Sequence, residues 1–128
     1  MEVLLDTHAF VWWIADSGRL SQAARAVIAD ATNEILVSAA SALEITTKYR
    51  LGKLPEADAL ALDVSGHVDR QGFEELAIAM TDAERAGRLP GPHRDPFDRM
   101  LIAQALLRDL PIVSTDSTFD AYAVDRLW

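Results

Sequence analysis

Along the chain, short continuous apolar runs alternate with longer stretches in which apolar residues recur at helical spacing. Val3-Leu4-Leu5, Ile35-Leu36-Val37, Leu76-Ala77-Ile78 and Pro111-Ile112-Val113-Ser114 read as buried strands, and Leu127-Trp128 as the end of a fifth. Between them, Thr7 to Ala15 has Phe10, Val11 and Ile14 on one helical face. Leu20, Ala24, Val27, Ile28 and Ala31 form another such face, with Ser21 placed as its N-cap. Ala39 to Leu51 reads as a helix closed by Gly52, with Pro55 just beyond. Residues 56 to 73 suggest one or two short helices interrupted by Gly66 and Gly72. Thr81 is expected to cap a helix ending near Gly87. Asp95-Pro96 opens the longest helix, Phe97 to about Asp109, apolar nearly all round except at Gln104.

Strands that are short, apolar throughout and separated by helices predict an α/β fold: a three-layer α/β/α sandwich around a parallel sheet of four to five strands. Such folds bind ligands outside the carboxyl ends of their strands. At 128 residues, the chain is expected to form one domain with an adequate core. It has no cysteine, which excludes disulfides and thiolate metal sites. No apolar run reaches the roughly 20 residues of a membrane span, and the acidic start is unlike a signal peptide, so a cytoplasmic location is expected. The net charge of −8 argues against a broad basic footprint for nucleic acid. It does not exclude such a substrate where divalent ions supply local positive charge.

The fold prediction gives four acids a shared destination. Asp6 and Asp116 directly follow strands. Asp98 lies in the first turn of its helix, and Glu44 in the first half of the helix after Ile35–Val37. Helices run antiparallel to the strands of such a sheet, so all four converge on one edge. Unpaired carboxylates in one cleft either bind protons or share a cation, and an all-oxygen set suits magnesium or manganese. Each acid also has a local explanation. Asp6 can cap the helix after it, and Asp116 the turn Ser117–Tyr122. Glu44 can pair with Lys48 at i+4, and Asp98 can favour its helix dipole. Asp95 competes with Asp98, but it precedes proline and suits a cap. A common site accounts for all four acids at once. The three histidines show no ligand spacing and read as surface or packing residues. Of the adjacent Trp12 and Trp13, one is expected to be exposed or at an interface.

The stretches LLDTH, SALEITTKYRLGKLP, HRDPFDRMLIAQA and VSTD, in that order, resemble a PIN domain, most closely the VapC-type toxins of bacterial toxin–antitoxin pairs. The resemblance covers essentially the whole chain. It implies a metal-dependent endoribonuclease, with Mg2+ or Mn2+ held by Asp6, Glu44, Asp98 and Asp116, of which Asp6 and Asp98 would be foremost as direct ligands and Glu44 and Asp116 would complete the site directly or through water. It further implies an RNA substrate, a homodimer, and a cognate antitoxin whose basic segment could enter the acidic pocket. Thr7, Thr115, Lys48 and Arg99 are candidate RNA contacts. The competing readings are a non-catalytic PIN-fold binding module and a metal-dependent phosphatase of another α/β superfamily. Against the second, position 8 is histidine where aspartyl-phosphate enzymes have a second aspartate.

Overall fold

A computed structural model describes residues 1–128, the side chain of Glu56 excepted. Five parallel strands, β1 (Glu2–Leu5), β2 (Glu34–Ser38), β3 (Glu74–Leu76), β4 (Ile112–Val113) and β5 (Arg126–Leu127), form one sheet in the order β3-β2-β1-β4-β5. Seven α-helices accompany them: α1 (Thr7–Ile14), α2 (Gln22–Ala29), α3 (Ala39–Arg50), α4 (Asp58–Leu62), α5 (Val64–Arg70), α6 (Met80–Arg88) and α7 (Pro96–Arg108). Short 3-10 turns occupy Pro55–Ala57 and Ser117–Ala121.

The two-residue repeat of the strands separates the layers. Val3, Leu5, Ile35, Val37 and Val113 point to one face, where they pack with Phe10, Ala24, Ile28, Leu60 and Val68. Leu4, Leu36 and Ile112 point to the other, against Ala86, Leu101, Ile102, Ala105 and Phe119. Both faces are therefore covered, which is why the strands are apolar throughout and not alternating. This is the expected α/β/α sandwich, with five strands. Among the described residues no helix is long and apolar enough to cross a membrane.

The central helices begin and end as their sequences dictate. Ser21 Oγ accepts from Ala24 N–H at 3.0 Å, and Gly52 follows α3 at a φ of 72°, a conformation open to glycine at no steric cost. Asp95 Oδ1 accepts from Phe97 N–H at 2.9 Å, capping α7 one residue before its proline.

Two expectations are corrected. Helix α6 starts at Met80, not after Thr81. Its first turn is set by Asp82, whose Oδ2 accepts from Ala79 N–H at 2.8 Å while Arg108 of α7 grips the same carboxylate at 2.9 and 3.0 Å. Strand β3 is Glu74–Leu76 and not Leu76–Ile78, because as an edge strand it pairs only with β2 and loses the ladder after Leu76 meets Ser38. Trp12 and Trp13 are each half-buried. Trp12 meets Trp128 edge-on at 5.9 Å, while Trp13 donates to Gln71 at 2.9 Å and lies beside Phe73.

Candidate metal centre

Asp6 ends β1 where the sheet's carboxyl edge opens. Its N–H donates to Val113 O of β4 at 3.0 Å, so the residue is tied between the two central strands. The carboxylate is 5% exposed, and its Oδ1 caps α1 by accepting from Ala9 N–H at 2.7 Å. Burial raises the Asp6 pKa and the nearby Glu44 charge adds to this, over the opposing hydrogen bonds from Ser114 and Ala9. Glu44, on the inward face of α3, is 2% exposed. Its Oε2 pairs with Lys48 one turn on, and its Oε1 has no hydrogen-bond partner.

Asp98 stands in the first turn of α7. Burial, followed by the charges of Asp95, Glu44, Asp6 and Asp116, pushes its pKa up to about 7. Asp116, after β4, is held in place by Thr118, whose N–H and hydroxyl both donate to Oδ1 at 3.0 and 2.7 Å. Burial works against its charge. The Thr118 bonds, with His93 and Arg126 nearby, outweigh that and hold the Asp116 pKa below the ordinary carboxylate range.

The acids therefore meet at one edge, but not as four equals. One ligand atom each from His93, Asp98 and Asp116 lie within 4.8 Å of one another. Asp6 and Glu44 do not belong to that triple; they lie deeper, near enough for their charges to raise the Asp98 pKa. Asp98, not Asp95, is in the triple, and Asp95 caps its helix. The local explanations of Asp6, Asp116 and Glu44 hold as well, since a carboxylate has two oxygens and capping uses one.

His93 reads from the sequence as a surface or packing residue, because it sits in a loop with no partner at a recognisable spacing, and the structure brings it beside Asp98 and Asp116. The signal available was its place five residues before Asp98. Two of the candidate RNA contacts are bonded within the protein. Thr7 is 4% exposed and its hydroxyl donates to Ser41 Oγ at 3.0 Å, joining the β1–α1 turn to α3. Arg99 donates to the carbonyls of Ala86 at 3.0 Å, His93 at 2.9 Å and Leu89, so its guanidinium braces the loop before α7. Thr115 is exposed, and Lys48 is held half-buried by Glu44.

These residues fit a divalent cation. Among the described residues, Glu44 Oε1 and His93 Nε2 are the buried side-chain polar atoms without a hydrogen-bond partner, and both belong to this cluster. A bare buried carboxylate oxygen beside three further acids is a costly arrangement that a hard cation relieves. Lys48 supplies only one charge, and it is bound to Glu44 alone.

This fold and this acidic edge define a class: residues 3–125 match the PIN domain, and the chain belongs to the PIN domain family. Within it the chain groups with the VapC ribonucleases. It is 32% identical to ribonuclease VapC22 of Mycobacterium tuberculosis over 123 residues, covering 89% of this chain and 86% of that protein. It is 44% identical to ribonuclease VapC16 of the same organism over 68 residues, covering 52% of this chain and 48% of that protein, about half of its length. Among solved structures, VapBC2 from Rickettsia felis bound to a promoter DNA fragment superposes with a TM-score of 0.68 at 16% identity, over 100% of both chains. FitAcB from Neisseria gonorrhoeae gives 0.66 at 18% identity, over 98% of this chain and 96% of that one. At those identities the structural likeness is one of fold.

Proposed function

We propose that this protein is a divalent-metal-dependent endoribonuclease, the toxin of a toxin–antitoxin pair. The observation that carries the reading is the meeting of Asp98 and Asp116 at the sheet's carboxyl edge, with Glu44, which keeps a bare buried oxygen, close enough for its charge to act on Asp98. The relatives are ribonucleases by name, and the solved neighbours include a toxin–antitoxin complex from Klebsiella pneumoniae with a TM-score of 0.59.

Asp98 and Asp116 would hold the cation at the open side, with Asp6 and Glu44 completing the site from the buried side. The cation, Mg2+ or Mn2+, supplies Lewis acidity for water activation and for the charge that develops on a phosphoryl group. The protein's own contribution is placement. Asp6 is fixed by Ala9 and β4, and Asp116 by Thr118, so neither carboxylate has to reorganise when a phosphodiester arrives. Thr115, exposed next to Asp116, would contact substrate. Lys48 offers the buried side a compensating charge before the cation binds.

The substrate is RNA, and the protein acts in the cytoplasm as a homodimer. Its antitoxin presents a basic segment, because an arginine or lysine entering this pocket would meet the carboxylates that the cation uses. Purified protein with Mn2+ is expected to cleave RNA, and chelator to stop it. Cleavage that continues in chelator would remove the metal mechanism. Added antitoxin should suppress cleavage, and higher metal concentration should partly restore it.

A further inference from the structure

His93 is the nitrogen in a cluster of acids. Its Nε2 lies 3.1 Å from Asp98 Oδ2 and 3.8 Å from Asp116 Oδ2. Despite this proximity Nε2 is buried and has no aligned hydrogen-bond partner, so the carboxylates crowd the nitrogen without satisfying it. The side chain is 13% exposed.

The residue is also held from several directions. Its N–H donates to Tyr122 Oη at 3.3 Å, and its carbonyl accepts from Arg99 Nη1 at 2.9 Å. The imidazole lies against Phe119, with ring centroids 5.7 Å apart. Two elements, α7 and the 3-10 turn after β4, thus hold the residue by backbone and ring, and its Nε2 faces two carboxylates with a hydrogen bond to neither. A second observation points to a ligand at the same place: Glu44, with a side chain only 3% exposed, leaves Oε1 unpartnered beside this cluster.

We propose that His93 Nε2 is a direct ligand of the bound cation, and that this nitrogen tilts the site from Mg2+ toward Mn2+ and other transition ions. The inference rests on the metal-dependent reading above and adds a donor of a different kind to it. Magnesium takes oxygen ligands almost exclusively, whereas imidazole suits transition metals, whose affinities rise along the first row. The competing role for His93 is that of a protonated internal counter-charge to Asp98 and Asp116. A histidine in that role has no lone pair for a metal and leaves the ion with oxygen ligands alone.

Pulsed electron paramagnetic resonance of Mn2+ bound to the purified protein separates the two. Direct ligation gives a nitrogen hyperfine coupling that changes to the 15N pattern when the protein is made with 15N-histidine. His93→Gln should remove the coupling and weaken Mn2+ binding by about tenfold or more, with Mg2+ binding little changed. His8→Gln and His67→Gln should leave the coupling intact. Bound Mn2+ without nitrogen coupling in the wild-type protein overturns the inference and leaves the metal-dependent reading standing. So does a coupling that survives in a folded His93→Gln variant. Wild-type protein that binds no Mn2+ overturns both. The isotope experiment on the wild type does not depend on whether the variant folds.

Discussion

Asp98 shows how one residue couples function to stability. Its carboxyl titrates near 7 because burial and four neighbouring acids oppose its charge. The folded metal-free protein therefore holds a proton there that the unfolded chain has already lost. Stability consequently falls as pH rises from about 4 to 7, the window between the ordinary and the raised value. Metal competes for the same carboxylate. The rise in melting temperature caused by Mg2+ should accordingly be larger at pH 8 than at pH 6, as thermal denaturation would show. Asp98→Asn should lower RNA cleavage by about 100-fold or more. It should also raise the melting temperature of the metal-free protein at pH 8, because it removes one of the crowded charges. A variant that retained full activity would direct attention to Asp95. Asp98 could be read from the sequence because α7 leads into β4 and runs antiparallel to it, which sets its first turn at the sheet's carboxyl edge. The part played by His93 could not. It depends on Arg99, Tyr122 and Phe119 meeting around one loop, and no local pattern reports such a meeting.

At the scale of elements, the loop from Leu89 to Asp95 and the α6–α7 pair carry the burden. Arg99 holds three carbonyls around that loop, and a lysine cannot span them because its ammonium is a point donor. Arg99→Ala should destabilise the fold by about 2–3 kcal/mol, and Arg99→Lys should recover little of it in denaturant titrations. Both should impair cleavage, since the loop carries His93 and leads into Asp98. Gly91 adopts a φ of 102°, and a Cβ there would stand 2.9 Å from Tyr122 Oη. Gly91→Ala should cost about 1–3 kcal/mol by the same measurement. Asp82 is 1% exposed, bonded by Arg108 and by Gln104, and these bonds hold its pKa low against the cost of burial. That stabilisation is present above the ordinary aspartate range and is lost as pH falls through the depressed value. Arg108→Ala should remove about 2 kcal/mol and flatten this acid limb. The strand runs and helix faces of the centre were legible because both sheet faces are buried. The edges were misread at β3, where one-sided pairing lets residue type wander: Glu74 and Glu75 occupy strand positions and Ile78 does not. The true start of α6 was hidden because its anchor, Arg108, comes from another helix.

For the molecule as a whole, metal should bind the folded chain and not the unfolded one. At 100 times the dissociation constant, stability should rise by about 2.7 kcal/mol, with chelator reversing the shift in a calorimetric scan. An unchanged scan at millimolar metal would count against the site. The parallel α/β/α architecture was legible from the alternation of elements alone. The convergence of the acids followed from it, whereas their unequal depths did not, since depth depends on how α3 packs against α1 and α7. The strand order carries a consequence for how the protein is made. Asp6 belongs to the first strand, yet the fourth strand, which brings Asp116 beside it, is translated only after the first three strands and all seven helices. The nascent polypeptide therefore carries a dispersed set of carboxylates until β4 has been made. On the proposed function, the capacity to cut RNA arises only once β4 has emerged from the ribosome, a natural safeguard for an enzyme born tethered to messenger RNA.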